Sequence, residues 1–331
     1  MKPALRPVVW KPPVAPDRAR RMTSETPLPP PRVMPIPGHG PEDVALDADG
    51  TVITGVDDGR ILRLSPDGRD IRTIADTGGR PLGIEVFPDG RILVCDAERG
   101  LLVIDADRVH TLVDQVDGEP VKLCNNAAVA ADGTVYFTDS SRRFSLQHWM
   151  GDLLEHSGTG RLLCRHPDGA VEVLRTGLQF ANGVALAPDE SFVAYAETGA
   201  YRLTRRWLTG PKAGTDEVLM DNLPGFPDNI SLGSDGLIWI ALASSRNPTL
   251  DALLGRPPVL RKVVWALPKA LQPKPRRLIW VLAVDADGRV VHDFQGPGTE
   301  FYETTGVRER AGTVYLGSLV GRTVAAFDLP L

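Results

Sequence analysis

One position recurs through the chain, seven residues before an Asp-Gly turn or its equivalent. It is held in order by Glu42, Leu82, Asn125, Asn182 and Asp228, in the segments EDVALDADG, LGIEVFPDG, NNAAVAADG, NGVALAPDE and DNISLGSDG. A sixth segment, TTGVRERAG, puts Thr304 or Thr305 in the same slot. Four of the six segments carry a hard oxygen ligand there. A fold that repeats about an axis brings equivalent positions together at that axis. The pattern therefore predicts an architecture and a metal site at once.

The unit around each slot reads as an apolar strand, a turn, and a second strand such as TVITGV, ILVCDA, TVYFTDS or LIWIAL. A third strand (RILRLSPDG, LLVIDAD, GRLLCRHPDG) and often a fourth (IRTIAD, AVEVLRTG) follow. Four short strands in roughly 40–50 residues mark a β-propeller blade. The slots are spaced by 40, 43, 57, 46 and 76 residues, so the long gaps read as insertions, at about 140–158 and 244–280. Six units predict an all-β, six-bladed β-propeller over residues 32–331, with RVMPIPG completing the last blade and closing the ring. Residues 1–31 are Pro-rich and basic, an extended arm in which Val8, Val9 and Trp10 either pin the segment to the body or lie loose.

A net charge of -5 and a pI near 5.7 argue against a nucleic-acid partner and leave a small-molecule substrate as the expectation. No run reaches the roughly 18 apolar residues that span a membrane, and the N-terminus lacks an apolar signal core. The three cysteines, Cys95, Cys124 and Cys164, have neither disulfide nor zinc spacing. Reduced thiols and a cytoplasmic location follow as expectations. The sequence has no GxSxG elbow, HExxH or P-loop.

The two insertions carry side chains of different kinds. In the first, Phe144, His148, Trp149 and Leu153 are placed to share one apolar face of a short helix. Between Asp251 and Trp280 the second holds seven basic residues: Arg256, Arg261, Lys262, Lys269, Lys274, Arg276 and Arg277. It reads either as a lid or membrane-touching patch, or as a solvated basic face on a packed excursion.

At the axis, Glu42, Asn125, Asn182 and Asp228 would present two carboxylates and two amide oxygens. Ca²⁺ takes six to eight such oxygens, whereas zinc and copper favour the His and Cys that the slots lack. Singly, each residue has an ordinary alternative. Asn182-Gly183 suits a turn, and Asp228 after GFP suits a loop cap.

The segments GPEDVALDADGTVITGVDDGRILRLSPDG, VYFTDSS, GTGRLL, FANGVALAPDES, AETGAYRLTRRWLTGPKAGT and LPGFPDNIS resemble the strictosidine synthase-like proteins. These belong with paraoxonases, gluconolactonases (including regucalcin) and diisopropylfluorophosphatase in a calcium-dependent hydrolase superfamily of six-bladed propellers. The resemblance implies that Glu42, Asn125, Asn182, Asp228 and Asn229 hold a catalytic calcium. It makes Asp228 a nucleophile or water activator, and sets Asp43 and Asn126 near a second, structural calcium, with Asn126 where Asp is usual. Two departures stand out. Leu82 replaces a histidine of the paraoxonases. Thr305 stands about where plant strictosidine synthase has a catalytic Glu, a role that Glu300 or Glu303 would have to fill.

The resulting expectation is a calcium-dependent hydrolase of lactones or related esters. Leu82, Phe144, Trp149, Phe180 and Phe226 would form its apolar wall beside Thr305. His148 would either supply a proton or simply pack. A condensing enzyme for an amine and an aldehyde, and a non-catalytic binding propeller with structural calcium, are the alternatives.

Overall fold

The Asp-Gly turns separate strands much as their spacing predicts. The computed structural model describes residues 2–106, 108–268 and 274–330. It contains six four-stranded antiparallel sheets, the blades of a six-bladed β-propeller. The innermost strands are Val44–Leu46, Pro81–Val86, Cys124–Val129, Ala181–Leu186, Gly225–Leu232 and Thr304–Arg310, for blades one to six. Strands of the first five blades pair in chain order. The sixth is completed by Arg32–Pro35, which pairs antiparallel with Thr323–Asp328 in the register Val33↔Ala325. Both ends of the propeller thus share one sheet, and the ring has no open seam.

Faces of neighbouring blades form the core. Ala45, Ile53 and Ile61 of blade one meet Ile84, Ile92, Val94 and Leu102 of blade two. Covered on both sides, Ile92–Asp96 is buried throughout, and its first four residues read as a continuous apolar run. Ile71–Asp76 lies at the outer edge, and none of its residues is fully buried. Each large aliphatic side chain taken fully from water contributes about 1.5–3 kcal/mol, so the blade interfaces dominate the stability.

The inner strands are irregular where the slots fall. Register slips between Cys124 and Ala127, Ala181 and Val184, and Pro81 and Ile84, and again between Gly225 and Ile230. Such a bulge sets two residues against one and re-aims their side chains. Adjacent pairs such as Asn125–Asn126 and Asp228–Asn229 thereby both serve the axis. Gly183 is required for close approach, since a Cβ there would lie 2.2 Å from Ile230 N on the next inner strand.

The first insertion forms helix α1 (Trp149–Glu155); the second forms α2 (Pro248–Leu254) and α3 (Pro258–Ala266). Asn247 caps α2 by accepting from Thr249 N and Leu250 N, with proline in the first turn. The N-terminal arm crosses these helices. Leu5 is buried with Phe144, Leu154 and Trp265. Trp10 stacks on His156 at 4.1 Å between ring centroids, and Arg261 donates to both Leu154 O and Val8 O at 2.9 Å. Leu5 and Trp10 therefore pin the arm with their side chains, whereas the side chains of Val8 and Val9 are exposed and Val8 is held by its main chain. Arg261 is also buried rather than part of a solvated face, because α3 turns it inward beneath the arm. Lys262, Lys274, Arg276 and Arg277 are exposed, and Lys269 lies outside the described residues. No helix among the described residues is long and apolar enough to cross a membrane.

Candidate metal centre and substrate cavity

All six repeat slots meet in one place. Glu42, Leu82, Asn125, Asn182, Asp228 and Thr305 line a single cavity of about 380 Å³. Above them stand Phe180, Phe226 and the apolar side chains Leu146, Trp149, Met150 and Leu153 of the first insertion. Leu253 and Val264 of the second insertion complete the roof. The cavity is thus polar at the axis and mostly apolar along its walls, with Arg246, Lys274 and Arg276 also reaching its lining.

Two residues expected at the substrate pocket are elsewhere. Phe144 is fully buried beneath α1 with Leu5, Leu154 and Trp265, because it precedes the helix instead of lying on it. His148 does not line the cavity; its ring lies edge-on to Trp265 at 6.1 Å, and Ser145 Oγ is 3.5 Å from its Nδ1. Glu303 does line the cavity, and burial raises its carboxyl above the ordinary range.

The polar group is arranged by bonds between blades. Asn125 Nδ2 donates to Ser140 Oγ at 2.9 Å, and Ser140 passes its proton to Ala181 O at 2.6 Å. Asn182 Nδ2 donates to Thr198 Oγ1 at 3.0 Å, and Thr198 donates to Pro227 O at 2.6 Å. In each case the hydroxyl is committed as a donor to the next blade, so it can only accept from the amide. This fixes which end of each amide is free. Asn229 Nδ2 lies 3.1 Å from both carboxylate oxygens of Glu42.

The outcome is unusual for a protein interior. The Oδ1 atoms of Asn125, Asn182 and Asn229 are all buried without a hydrogen-bond partner. Leaving a buried acceptor unmet costs about 1–3 kcal/mol each. Burial holds the Glu42 carboxyl well above the usual range, with Asp228 and Asp43 adding to the effect. Burial likewise pushes Asp228 up to about 7, against bonds from Asn182 and the Asn229 backbone. A buried carboxylate, a half-buried one and unmet amide oxygens are groups of the kind that a hard cation takes. Asn229 does not line the cavity, so in this arrangement it orients Glu42. Among the described residues no three His, Cys, Asp or Glu are placed to hold a metal ion by themselves, so a site here would have to draw on the neutral amides. Ser140 and Thr198 were not anticipated. Their signal is legible in hindsight, since both sit just after the second strand of a blade, 15 and 16 residues beyond their asparagines.

The second expected position is knitted together by hydrogen bonds within the protein. Asp43 Oδ2 accepts from Ile84 N at 3.1 Å and Asn126 Nδ2 at 3.3 Å, while Asn126 Oδ1 accepts from Val184 N at 2.8 Å. Asn126 Oδ1 is therefore already engaged by a main-chain donor, unlike the unmet oxygens of Asn125 and Asn182.

Comparison with known proteins agrees with this architecture. The strictosidine synthase family model matches residues 125–211, and the strictosidine synthase-like N-terminal model matches residues 32–64. Protein STRICTOSIDINE SYNTHASE-LIKE 6 of Arabidopsis thaliana is 35% identical over 300 residues, spanning 88% of this chain and 79% of the relative. Adipocyte plasma membrane-associated protein of Danio rerio is 34% identical over 317 residues, 88% of this chain and 75% of that protein. The chain belongs to the strictosidine synthase-like family. Among solved structures, a gluconolactonase from Xanthomonas campestris superposes with a TM-score of 0.65 at 18% identity, covering 100% of this chain and 99% of the other. Regucalcin from Agrobacterium tumefaciens gives 0.61 at 14% identity, over 89% and 95% respectively. At such identities these two likenesses speak to the fold alone.

Proposed function

We propose that the protein is a calcium-dependent hydrolase of lactones or related esters, acting in the central channel. The observation that carries this reading is the set of buried, unmet amide oxygens of Asn125 and Asn182 beside the Glu42 and Asp228 carboxylates. Glu42, Asn125, Asn182 and Asp228 would hold the ion. Bound there, calcium supplies Lewis acidity toward a carbonyl and stabilises negative charge on its oxygen.

The chain's own residues do the rest. Phe180, Phe226, Trp149 and Leu153 bind the apolar part of the substrate and exclude water from the axis. Ser140 and Thr198 keep the two amide oxygens facing inward. Asp228 takes a proton from a water that adds to the acyl carbon, or adds to it directly to give an acyl-aspartate that water then hydrolyses. In either case the ester C–O bond breaks and the leaving alkoxide takes up the proton the water gives up. The apolar walls favour substrates with a hydrophobic acyl or aryl part over polyhydroxylated ones.

A second reading rests on Glu303, a cavity carboxyl whose burial favours its protonated form. It would serve an amine–aldehyde condensation in place of the carboxylate that Thr305 lacks. One assay separates the two. Purified protein is offered aryl esters, lactones, and an amine with an aldehyde, before and after chelation. The hydrolase reading predicts ester or lactone turnover that chelator abolishes and Ca²⁺ restores. Hydrolysis indifferent to chelator, or condensation alone, would overturn it.

A further inference from the structure

Beyond the cavity the channel has a second polar level, built from Asp43, Glu85, Asn126 and Arg308. Arg308 extends from the inner strand of blade six. Its Nε donates to Val44 O at 3.5 Å on blade one. Its Nη2 donates to Ile84 O at 3.5 Å and to Glu85 Oε1 at 2.5 Å, both on blade two. Two main-chain carbonyls and a carboxylate are the kinds of oxygen that a hard ion takes. Here they are gathered by the planar fork of a guanidinium, which stays charged and presents several donors at fixed angles.

We infer that Arg308 stands in place of a second, structural ion and staples blades six, one and two across the joint where the ring closes. Blade six is the sheet shared by both ends of the propeller, so its attachment to blade one is the contact that must hold for the ring to stay shut. The neighbouring groups agree. Asp43 Oδ2 accepts from Asn126 Nδ2 and from the Ile84 amide, and Asn126 Oδ1 accepts from the Val184 amide, so these groups are tied to the protein frame. An arginine, unlike an ion, cannot be removed by a chelator. The lower channel is thus a permanent fastening, and only the upper level is left open to metal exchange.

The test uses the full chain, its Arg308→Met and Arg308→Lys variants, and Ca²⁺ as the probe. Parent protein should bind no more than one Ca²⁺ by calorimetric titration. In chelator, Arg308→Met should melt about 5 °C or more below the parent, given a few kcal/mol for a broken, mostly buried ion pair and a chain of this size. Arg308→Lys, which keeps the charge and loses the fork, should fall between them. Added Ca²⁺ should raise the melting point of Arg308→Met more than that of the parent, because the vacated oxygens then accept an ion. Two ions bound by the parent, an unmoved melting point in Arg308→Met, or no extra rise with Ca²⁺ would each overturn the inference. If Arg308→Met does not fold, Arg308→Lys decides, and melting together with the parent counts against the staple. Zero ions bound by the parent would defeat the catalytic calcium proposed above and leave the melting comparisons to judge Arg308 separately.

Discussion

Asn182 and Thr198 stand in a fixed donor–acceptor order: Asn182 Nδ2 lies 3.0 Å from Thr198 Oγ1, whose proton is spent on Pro227 O at 2.6 Å. The hydroxyl therefore decides that the amide oxygen, not the NH₂ group, faces the cavity. Thr198→Val removes that constraint, whereas Thr198→Ser retains it. Calcium affinity measured by calorimetry should fall about 10-fold or more in the valine variant and stay near the parent value in serine, as is typical for partners that orient metal ligands. Equal affinities in all three proteins would mean that the hydroxyl does not orient Asn182.

The proposed mechanism assigns the chemical step to Asp228. Asp228→Asn keeps the side-chain shape and removes a carboxylate that burial holds at a pKa of about 7. Turnover of a responsive ester or lactone should drop by roughly 10²–10⁴-fold, the range for loss of a positioned base. In chelator the variant should melt no lower than the parent, since a buried charge repelling Glu42 has gone. Normal turnover in a folded variant would remove Asp228 from the mechanism.

Trp149 reports on substrate choice. It lines the cavity from α1 and is only partly buried, so Trp149→Ala should fold. KM for an ester with a bulky aryl or long acyl group should rise about 10-fold, and KM for an acetyl ester should change little. A parallel rise for both would point to a general loosening of the roof.

The arm should respond to acid through His156. Burial holds its pKa down at about 4, with Arg261 and Arg202 acting in the same direction. Its Nδ1 is buried without a partner, and its ring lies flat against Trp10. Between about pH 6.5 and 4 the unfolded chain holds more protons at this site than the folded one. This contribution to stability is therefore intact above 6.5 and is lost as pH falls toward 4, with a slope of up to about 1.4 kcal/mol per unit. Denaturant melts of the parent and His156→Gln across this window should show the parent losing stability more steeply. Identical slopes would contradict the assignment.

Much of this was legible from residues alone because a propeller repeats its own grammar. Every slot from Glu42 to Thr305 reaches the predicted cavity, and Arg32–Pro35 closes the ring as the position of RVMPIPG implied. What escaped the sequence depends on contacts between segments far apart in the chain. Phe144 shares helical spacing with His148, yet Leu5 and Trp265 claim it for a separate cluster. Arg261 looked like one charge in a basic run until the arm's Val8 carbonyl turned it inward. Asn126 is a plausible ligand by position, but its amide is used up by Asp43 and Val184, which no spacing reveals. Ser140 and Thr198 lay within reach: aligning the ends of the second strands would have paired them with their asparagines.

The most direct measurement is a crystal structure of the protein grown with Ca²⁺. The account predicts one ion at the axis, with oxygens of Glu42, Asn125, Asn182 and Asp228 at about 2.3–2.6 Å. Calcium-saturated crystals in which those four side chains hold no ion would contradict it.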